Sequence, residues 1–387
     1  MLALRTVKLF FRRTFAAGLA GRMPGPQSAL ADPPRRIAGG GHAPTLLTSE
    51  GIVGTLSILL GLLLVGNPVQ ADPISDVRSL SVFKDADLNK LARGAVLASR
   101  GPAMSFERGL AVESVYVVRL PVPRTVVLQQ QWNPTPHPEL RIYTQADVSG
   151  RPSPTDFRAL ASVPLNSSVK ALVEATQRLP GDTAKLQLSL AEAKMFVGGP
   201  AAGGREAVDS FWSKVLAERA QAYVGGGFSA QPPYETGGAA VRVSEDANRL
   251  MRDDNKVRVQ FAPLIEGAGI GSGRGSLRPS LYWQIFDAEG RAAVNLGASY
   301  SKAVGDGFQV ADVQYYSSGG FYTVLTFYQL WPVTIEGQPA TLVWRSDLIS
   351  SPQLNLRGIE RMGAGVVAPR EIQKVVYAFL RDARSSR

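Results

Sequence analysis

His137 is the only histidine beyond the first 71 residues of this 387-residue chain, so it is the obvious candidate for acid–base chemistry. It stands between two prolines, in a turn with little regular structure. A general base needs a nucleophile or an acid beside it in space. A hydrolase that uses His137 and a purely structural histidine therefore both remain open. The chain has no cysteine, and one histidine cannot form a multi-histidine metal site, so we predict no metal centre.

Arg345 and Asp347 are the second candidate group, because they lie two residues apart in a stretch that alternates like a β-strand. Residues i and i+2 of a strand point to the same face, so these side chains are expected to be neighbours. One interpretation is an ordinary pair of opposite charges on a sheet. The other is a polar anchor at one end of an apolar cavity, where it would hold the head group of a ligand. Neither G-x-S-x-G nor H-E-x-x-H occurs, and we predict no catalytic residue and no cofactor.

Aromatic residues concentrate around a predicted β-hairpin over Phe321–Ser350, which turns at Glu336-Gly337. Both faces of its first strand are largely apolar, and the C-terminal helix can cover only one of them. The other face needs further helices or a ligand. Ligand cavities are mainly apolar and aromatic with a few polar anchors, although a solid core would use the same residue types. The candidate ligand-binding residues are Trp132, His137, Tyr316, Tyr322, Tyr328, Trp344, Arg345 and Asp347.

A sheet and a helix are predicted to position these residues. Alternating strands separated by turns over 281–287, 292–300 and 308–316 lead into the hairpin, which predicts an antiparallel meander. The C-terminal segment 369–382 carries apolar residues at the spacing of one helix face, which predicts a helix packed on the sheet. These apolar residues are Ile372, Val375, Val376, Phe379 and Leu380.

The middle of the chain favours helices. Residues 151–279 carry mostly helical periodicity, and we predict a helical insertion into the sheet domain. Its glycine-rich end, 267–275, does not fit a nucleotide-binding loop in spacing or context, so a flexible linker is expected. The complete predicted division is a preface and signal peptide over 1–71, an N-terminal helical segment over 72–105, the first part of the sheet domain over 106–150, the insertion and linker over 151–279, and the main sheet with the C-terminal helix over 280–387.

The first 71 residues resemble a leader. An apolar run over 52–66 is too short for a typical membrane span, and Val69-x-Ala71 fits the small-residue rule for signal cleavage after Ala71. We therefore predict an exported protein, periplasmic or secreted; an uncleaved anchor is the alternative. Beyond residue 71 the chain has 35 basic and 30 acidic residues without a basic cluster, so we predict no nucleic-acid partner.

The order of elements near the start of the predicted sheet domain resembles START-like helix-grip domains, the polyketide-cyclase and lipid-transfer superfamily. A strand over 111–120 ends at Pro121-Val122-Pro123, and a short helix over 124–131 leads into a turn at Trp132-Asn133. The late strand and the C-terminal helix are similar to the end of that fold. The resemblance covers residues 110–147 and 280–385. It implies a curved antiparallel sheet gripped by the last helix, which closes a hydrophobic pocket; the insertion departs from it.

These observations predict an α+β protein with a curved antiparallel sheet, a C-terminal helix and an inserted helical subdomain. The expected function is non-enzymatic binding of an apolar or amphipathic small molecule, such as a lipid, between sheet and helix. Two alternatives remain: an envelope structural or interaction module with a solid core, and a hydrolase that uses His137. The oligomeric state is left open, and a membrane contact is expected only through an uncleaved leader.

Overall fold

An antiparallel sheet dominates the computed structural model, which describes residues 72–183, 185–197, 204–236, 239–354 and 359–386. The strands are β1 (Leu97–Arg100), β2 (Gly109–Val118), β3 (Ile142–Val148), β4 (Tyr234–Thr236), β5 (Ala239–Val241), β6 (Ser280–Ala288), β7 (Arg291–Val304), β8 (Gly307–Ser317), β9 (Thr323–Ile335) and β10 (Gln338–Ser350). Eight of them form the main sheet in the order β1-β2-β10-β9-β8-β7-β6-β3, with all neighbours antiparallel, and β4 and β5 form a separate hairpin.

The α-helices of the described residues precede, interrupt and follow the sheet. They are α1 (Pro73–Leu80), α2 (Leu88–Ala92), α3 (Val122–Gln131), α4 (Ser167–Gln177), α5 (Leu190–Lys194), α6 (Arg205–Gly226), α7 (Val243–Asp253), α8 (Asn255–Gln260), α9 (Ala262–Ala268) and α10 (Ile359–Ser385). Because β2 pairs with β10, the first long strand and the last strand of the chain lie side by side.

Tight turns fix the register of the meander from β6 to β10. Glu289-Gly290 joins β6 to β7 and Glu336-Gly337 joins β9 to β10, and all four residues have positive φ angles (62°, 83°, 52° and 75°). Positive φ at both central residues is the geometry of a type I′ turn, whose twist matches that of a β-hairpin. The predicted turn at Glu336-Gly337 is confirmed, as is an α+β fold with a large antiparallel sheet and a C-terminal helix.

Two apolar cores cover the two faces of the sheet. α10 and α3 pack on one face, here called the α10 face. Helices from the segment between β3 and β6 pack on the other, together with α1 and α2; we call this the insertion face. Every residue of β2 is buried, as expected for a strand covered on both sides. Helices from the middle of the chain therefore cover the second face of the predicted hairpin.

Three boundaries differ from the sequence predictions. The helical part of the N-terminal segment predicted over 72–105 ends at Ala92, because Gly94 adopts a positive φ of 96° and the chain continues into β1. The segment between β3 and β6 contains the β4–β5 hairpin as well as helices. α10 begins at Ile359 rather than at 369, and Pro369 lies inside it.

The glycine-rich stretch after α9 is closely packed rather than a free linker. A Cβ atom on Gly227 would lie 2.2 Å from the carbonyl oxygen of Gly273, and one on Gly269 would lie 2.4 Å from the amide nitrogen of Gly275. Both Gly227 and Gly269 have positive φ angles, which favour glycine. These glycines allow the loop to approach the end of α6 and to fold back on itself.

The predicted leader and its cleavage site after Ala71 lie outside the described residues. Within the described part of the chain, none of the helices combines the length and apolar character that crossing a bilayer requires.

Candidate functional site

A continuous set of polar side chains crosses the α10 face of the sheet, inside an otherwise apolar core. We call this set the polar strip, and all its members are buried. Its members are Ser114 and Tyr116 on β2, Tyr282 and Gln284 on β6, Asn295 and Ser299 on β7, Asp312 and Gln314 on β8, Thr326 and Tyr328 on β9, and Arg345 and Asp347 on β10. Strand alternation places them on the α10 face, because apolar residues of the same parity belong to the core beneath α10.

The charged centre of the polar strip is the pair Arg345 and Asp347. Nε of Arg345 lies 2.8 Å from Oδ2 of Asp347 and Nη2 lies 2.6 Å from Oδ1, a two-point ion pair. The guanidinium also lies 5.5 Å from the ring centroid of Tyr328. Burial lowers the pKa of Arg345, but the charge and hydrogen bonds of Asp347 together with the nearby Tyr328 and Tyr116 more than offset this effect, so the pKa is raised overall. Arg345 therefore keeps its positive charge inside the core.

Strand pairing brings two buried carboxylates to either side of Thr326. Thr326 is directly opposite Asp347 on β10 and opposite Asp312 on β8. Its hydroxyl donates to Oδ1 of Asp347 at 2.8 Å. Tyr282 donates to Oδ1 of Asp312 at 2.8 Å, and its ring occupies the space above Gly297, where a Cβ atom would lie 2.0 Å from the ring. Gly297 thus allows Tyr282 to reach Asp312.

Ser114 and Asn295 in the polar strip each have an unused hydrogen-bonding atom. Among the described residues, Oγ of Ser114 and Oδ1 of Asn295 have no hydrogen-bond partner, although both side chains are buried. Ser114 is directly opposite Arg345, and Asn295 is opposite Gln284. Buried polar atoms without a partner are uncommon in native proteins and call for an explanation, such as a water or a ligand.

Burial raises the pKa of Tyr116 and of Tyr328 in the polar strip, and Arg345 opposes this shift in both. Both hydroxyls therefore stay protonated at physiological pH and can donate hydrogen bonds. The polar strip offers hydroxyl and amide donors, carboxylate acceptors and a guanidinium on a single buried face. This combination can bind a polar or charged head group.

Trp132 and His137 lie together, but at the C-terminal end of α10. Asp382 accepts a hydrogen bond from Nε1 of Trp132 at 2.6 Å and lies 2.7 Å from Nε2 of His137. Nδ1 of His137 lies 3.8 Å from Oε1 of Glu139. Within the described residues, neither ring nitrogen bonds to a serine or threonine hydroxyl. The arrangement ties the turn after α3 to the last helix, and its geometry favours the structural interpretation of His137.

The other three candidates lie on the insertion face. The indole of Trp344 packs near Phe261, the residue before α9, and their ring centroids lie 5.9 Å apart. Nε1 of Trp344 donates a hydrogen bond to Glu113. Tyr316 lies beneath the buried guanidinium of Arg219, at 4.2 Å from the ring centroid. Tyr322 stacks on Tyr234, 5.7 Å between centroids. The eight candidates are thus divided among three places, and only Tyr328, Arg345 and Asp347 belong to the polar strip.

Most of the polar strip was missed because its members are spread over six strands. The sequence does hold a signal: in each central strand, polar residues recur at period two on one face, such as Asn295 and Ser299 on β7 or Thr326 and Tyr328 on β9. That signal becomes one site only when the strand order is known, because it aligns the polar positions side by side.

Surface grooves lined by described residues lie beside α7 and beside α10, and none of the eight candidates lines them. A groove of about 590 Å³ is lined by Ser105, Phe106, Glu107, Arg108, Arg249, Arg252 and Asp253, and a neighbouring groove of about 420 Å³ shares Arg249 and Arg252. Two others, of about 550 and 230 Å³, flank the C-terminal half of α10. Among the described residues, no cluster of three or more histidine, aspartate or glutamate side chains could hold a metal ion.

No family model, curated protein or solved structure matches this chain.

Proposed function

We propose that this chain is an exported, non-enzymatic protein that binds an amphipathic small molecule, such as a lipid, between the sheet and α10. The observation that carries the proposal is the polar strip. The polar head of the ligand is expected to bind near Arg345 and Asp347, and its apolar part to lie against the aliphatic residues that surround the strip on the same face.

The energetic cost of the polar strip supports this proposal. A buried ion pair seldom stabilises a fold more than apolar residues of the same size would, because both charges lose their hydration. Each buried polar atom left without a partner costs a further ~1–3 kcal/mol. Ser114 and Asn295 each carry one such atom. A polar head group beside Arg345 that pairs with Ser114, which lies directly opposite Arg345, offsets part of this cost, whereas a core that serves only stability gains nothing from it.

The order of elements also supports the resemblance to helix-grip domains. β2 ends before Pro121, α3 follows at once, and the chain then enters the sheet again at β3. The last strand is followed by a long helix whose residues Ile372, Val375, Val376 and Phe379 are buried on the α10 face. The segment between β3 and β6 has no counterpart in the resemblance, and it covers the insertion face.

An envelope interaction module with a solid core is the second candidate, and the insertion face favours it. That face is filled by aromatic contacts such as the stacked rings of Tyr223 and Tyr315, 3.8 Å between centroids. Ligand binding is therefore proposed only for the α10 face. The hydrolase alternative gains no support, because the described neighbours of the His137 ring nitrogens are the carboxylates of Asp382 and Glu139 and not a serine or threonine hydroxyl.

Two buried serines provide a matched test. Ser114 and Ser346 lie on neighbouring strands, on opposite faces, and each has an unpartnered hydroxyl. The full chain is expressed with its own leader, and bound lipids are extracted and quantified by mass spectrometry. Ser114→Ala is expected to lower the retained amount several-fold, and Ser346→Ala to leave it unchanged. Equal retention in both variants, or no retained molecule in the unmodified protein, would reject the proposed site.

A further inference from the structure

The exposed side of α10 carries a regular row of cations. Between 370 and 384, the exposed positions of this helix are Arg370, Lys374, Tyr377, Arg381 and Arg384. We call this row the basic ridge. Its spacing of four, three, four and three residues keeps all five side chains on one stripe. The ridge spans about 21 Å along the helix axis, at 1.5 Å per residue.

The basic ridge is not a by-product of helix packing. The apolar side of α10 is fully used by the core, where Ile372, Val375 and Phe379 are buried. A solvated helix face usually mixes both signs of charge and gains from i,i+4 pairs. Here the exposed positions carry four cations and no acid. Like charges at this spacing repel one another, so the row costs stability unless a partner neutralises it.

Nearby acids neutralise only part of the ridge. Lys374 pairs with the buried Glu371 at 2.7 Å, and Arg381 pairs with the exposed Glu139. Within the described residues, Arg370 and Arg384 make no ion pair. The groove beside Arg384 is also lined by Arg93, which makes no ion pair among the described residues, and by Arg119, which pairs with Glu336. The ridge and its flank therefore present an excess of positive charge.

The shape of the basic ridge selects the kind of partner. The row is straight and stands on the convex side of a helix, so a flat surface can contact all five side chains together. Tyr377, 42% exposed, lies at its centre, and tyrosine favours the boundary between water and lipid because its ring is apolar and its hydroxyl polar. Lys and Arg side chains near an anionic bilayer each contribute attraction.

We propose that the basic ridge docks the protein on an anionic membrane surface. This inference does not depend on the ligand proposed for the polar strip, because it concerns the opposite side of α10. A surface-bound α10 would bring the interior beneath it next to the bilayer, where an amphipathic molecule resides.

The test compares two charge-matched triple variants of the full chain. In the ridge variant, Arg370, Arg381 and Arg384 become Gln; Lys374 is kept because it compensates the buried Glu371. In the control, Arg252, Arg274 and Arg278 become Gln, because these exposed arginines make no ion pair among the described residues. Thermal melting checks that both variants fold. The readout is the affinity for phosphatidylcholine vesicles that contain phosphatidylglycerol, divided by the affinity for vesicles of phosphatidylcholine alone. An apolar contribution of the leader enters both affinities and therefore cancels in the ratio.

The unmodified protein and the control are expected to prefer the anionic vesicles, and this preference should weaken at high salt. In the ridge variant, the preference for anionic vesicles is expected to fall roughly a hundredfold, which is about fivefold for each cation removed. Absence of any preference in the unmodified protein would overturn the proposal, as would equal loss in both triple variants. Loss of binding to an acidic polymer alone, with vesicle binding unchanged, would assign the ridge to a different partner and would also overturn it.

Discussion

Arg345 and Asp347 lie two residues apart on β10 and form a two-point ion pair, 2.8 and 2.6 Å long, in the core beneath α10. The pair is 1% and 0% exposed, so neither charge is screened by solvent. Thr326 on β9 donates a hydrogen bond to Asp347 and lies directly opposite Asp312 on β8, so a second buried carboxylate lies one strand further along the sheet. The chain thus keeps a charged group at the centre of a sheet face that could have been filled by aliphatic residues.

The first prediction concerns the coupling of this ion pair. Asp347→Asn is expected to destabilise the protein by about 3–5 kcal/mol, because a buried guanidinium loses its main counter-charge. Arg345→Met should cost a similar amount, but the double variant should cost less than the sum by about 1–3 kcal/mol. Urea denaturation of the four proteins gives the coupling energy. Additive effects of the two substitutions would show that the pair does not act as a unit.

The second prediction concerns pH and Glu113. This side chain is buried on the insertion face and accepts hydrogen bonds from the Val82 amide and the Trp344 indole. Burial raises the pKa of Glu113 to about 7. The folded state thus holds this proton more tightly than the unfolded state, so the stability from this group is complete below about pH 4.5 and is lost as the pH rises through 7.

Glu113→Gln keeps the shape of the side chain and removes the titration. Relative to the unmodified protein, the variant should gain up to about 3 kcal/mol between pH 4.5 and pH 8, as an upper limit. The free energy of unfolding of both proteins, measured by urea titration across this range, checks the difference. Asp246 and Asp254 also have raised pKa values, but both are present in the two proteins, so the difference between the profiles reports Glu113 and its repulsion by Asp254. Parallel pH profiles of the two proteins would contradict the prediction.

The third prediction concerns Gly297, which lies under the ring of Tyr282. Gly297→Ala places a Cβ atom 2.0 Å from that ring, so the ring must move away from Asp312. We expect a loss of about 1–3 kcal/mol, the usual cost of overpacking. Gly150→Ala is the control, because nothing lies within 4 Å of its Cβ position. Equal melting temperatures for the two variants would show that the contact is not tight.

The fourth prediction concerns Asp382, which joins α10 to the turn that contains Trp132 and His137. Asp382→Ala removes the shared acceptor of both side chains and should cost about 1–3 kcal/mol. Arg381→Ala, one residue away, removes only an exposed ion pair and should cost about 0–1 kcal/mol. Thermal unfolding monitored by circular dichroism compares them. An equally small effect of both substitutions would remove the structural role assigned to this contact.

Local patterns in the sequence were sufficient for much of the sheet. Alternation and the Glu-Gly turns located β6 to β10, because hairpins joined by short turns depend on neighbouring residues. Period two also placed Arg345 and Asp347 on the same face. The edge strand β1 was not predicted. It has only four residues, Leu97–Arg100, shortly after Gly94, and so short a stretch carries too little periodicity to distinguish a strand from the end of a helix.

The polar strip could not be assembled from sequence because it depends on which strands are neighbours. Ser114 meets Arg345 only because β2 pairs with β10, more than two hundred residues away in the chain. Trp344 and Tyr328 both looked like ligand contacts, yet the pleat sends them to opposite faces. Trp132 and His137 were grouped with them by residue type, while their partner Asp382 is near the C-terminus.

The central claim is that the interior beneath α10 binds an amphipathic molecule. The most direct measurement is the mass of the purified full chain by native mass spectrometry, compared with its mass after denaturation. The account predicts a discrete excess mass in the native spectrum, which disappears on denaturation and is reduced in Ser114→Ala but not in Ser346→Ala. Identical native and denatured masses, in protein that melts cooperatively and was never exposed to detergent or organic solvent, would contradict it.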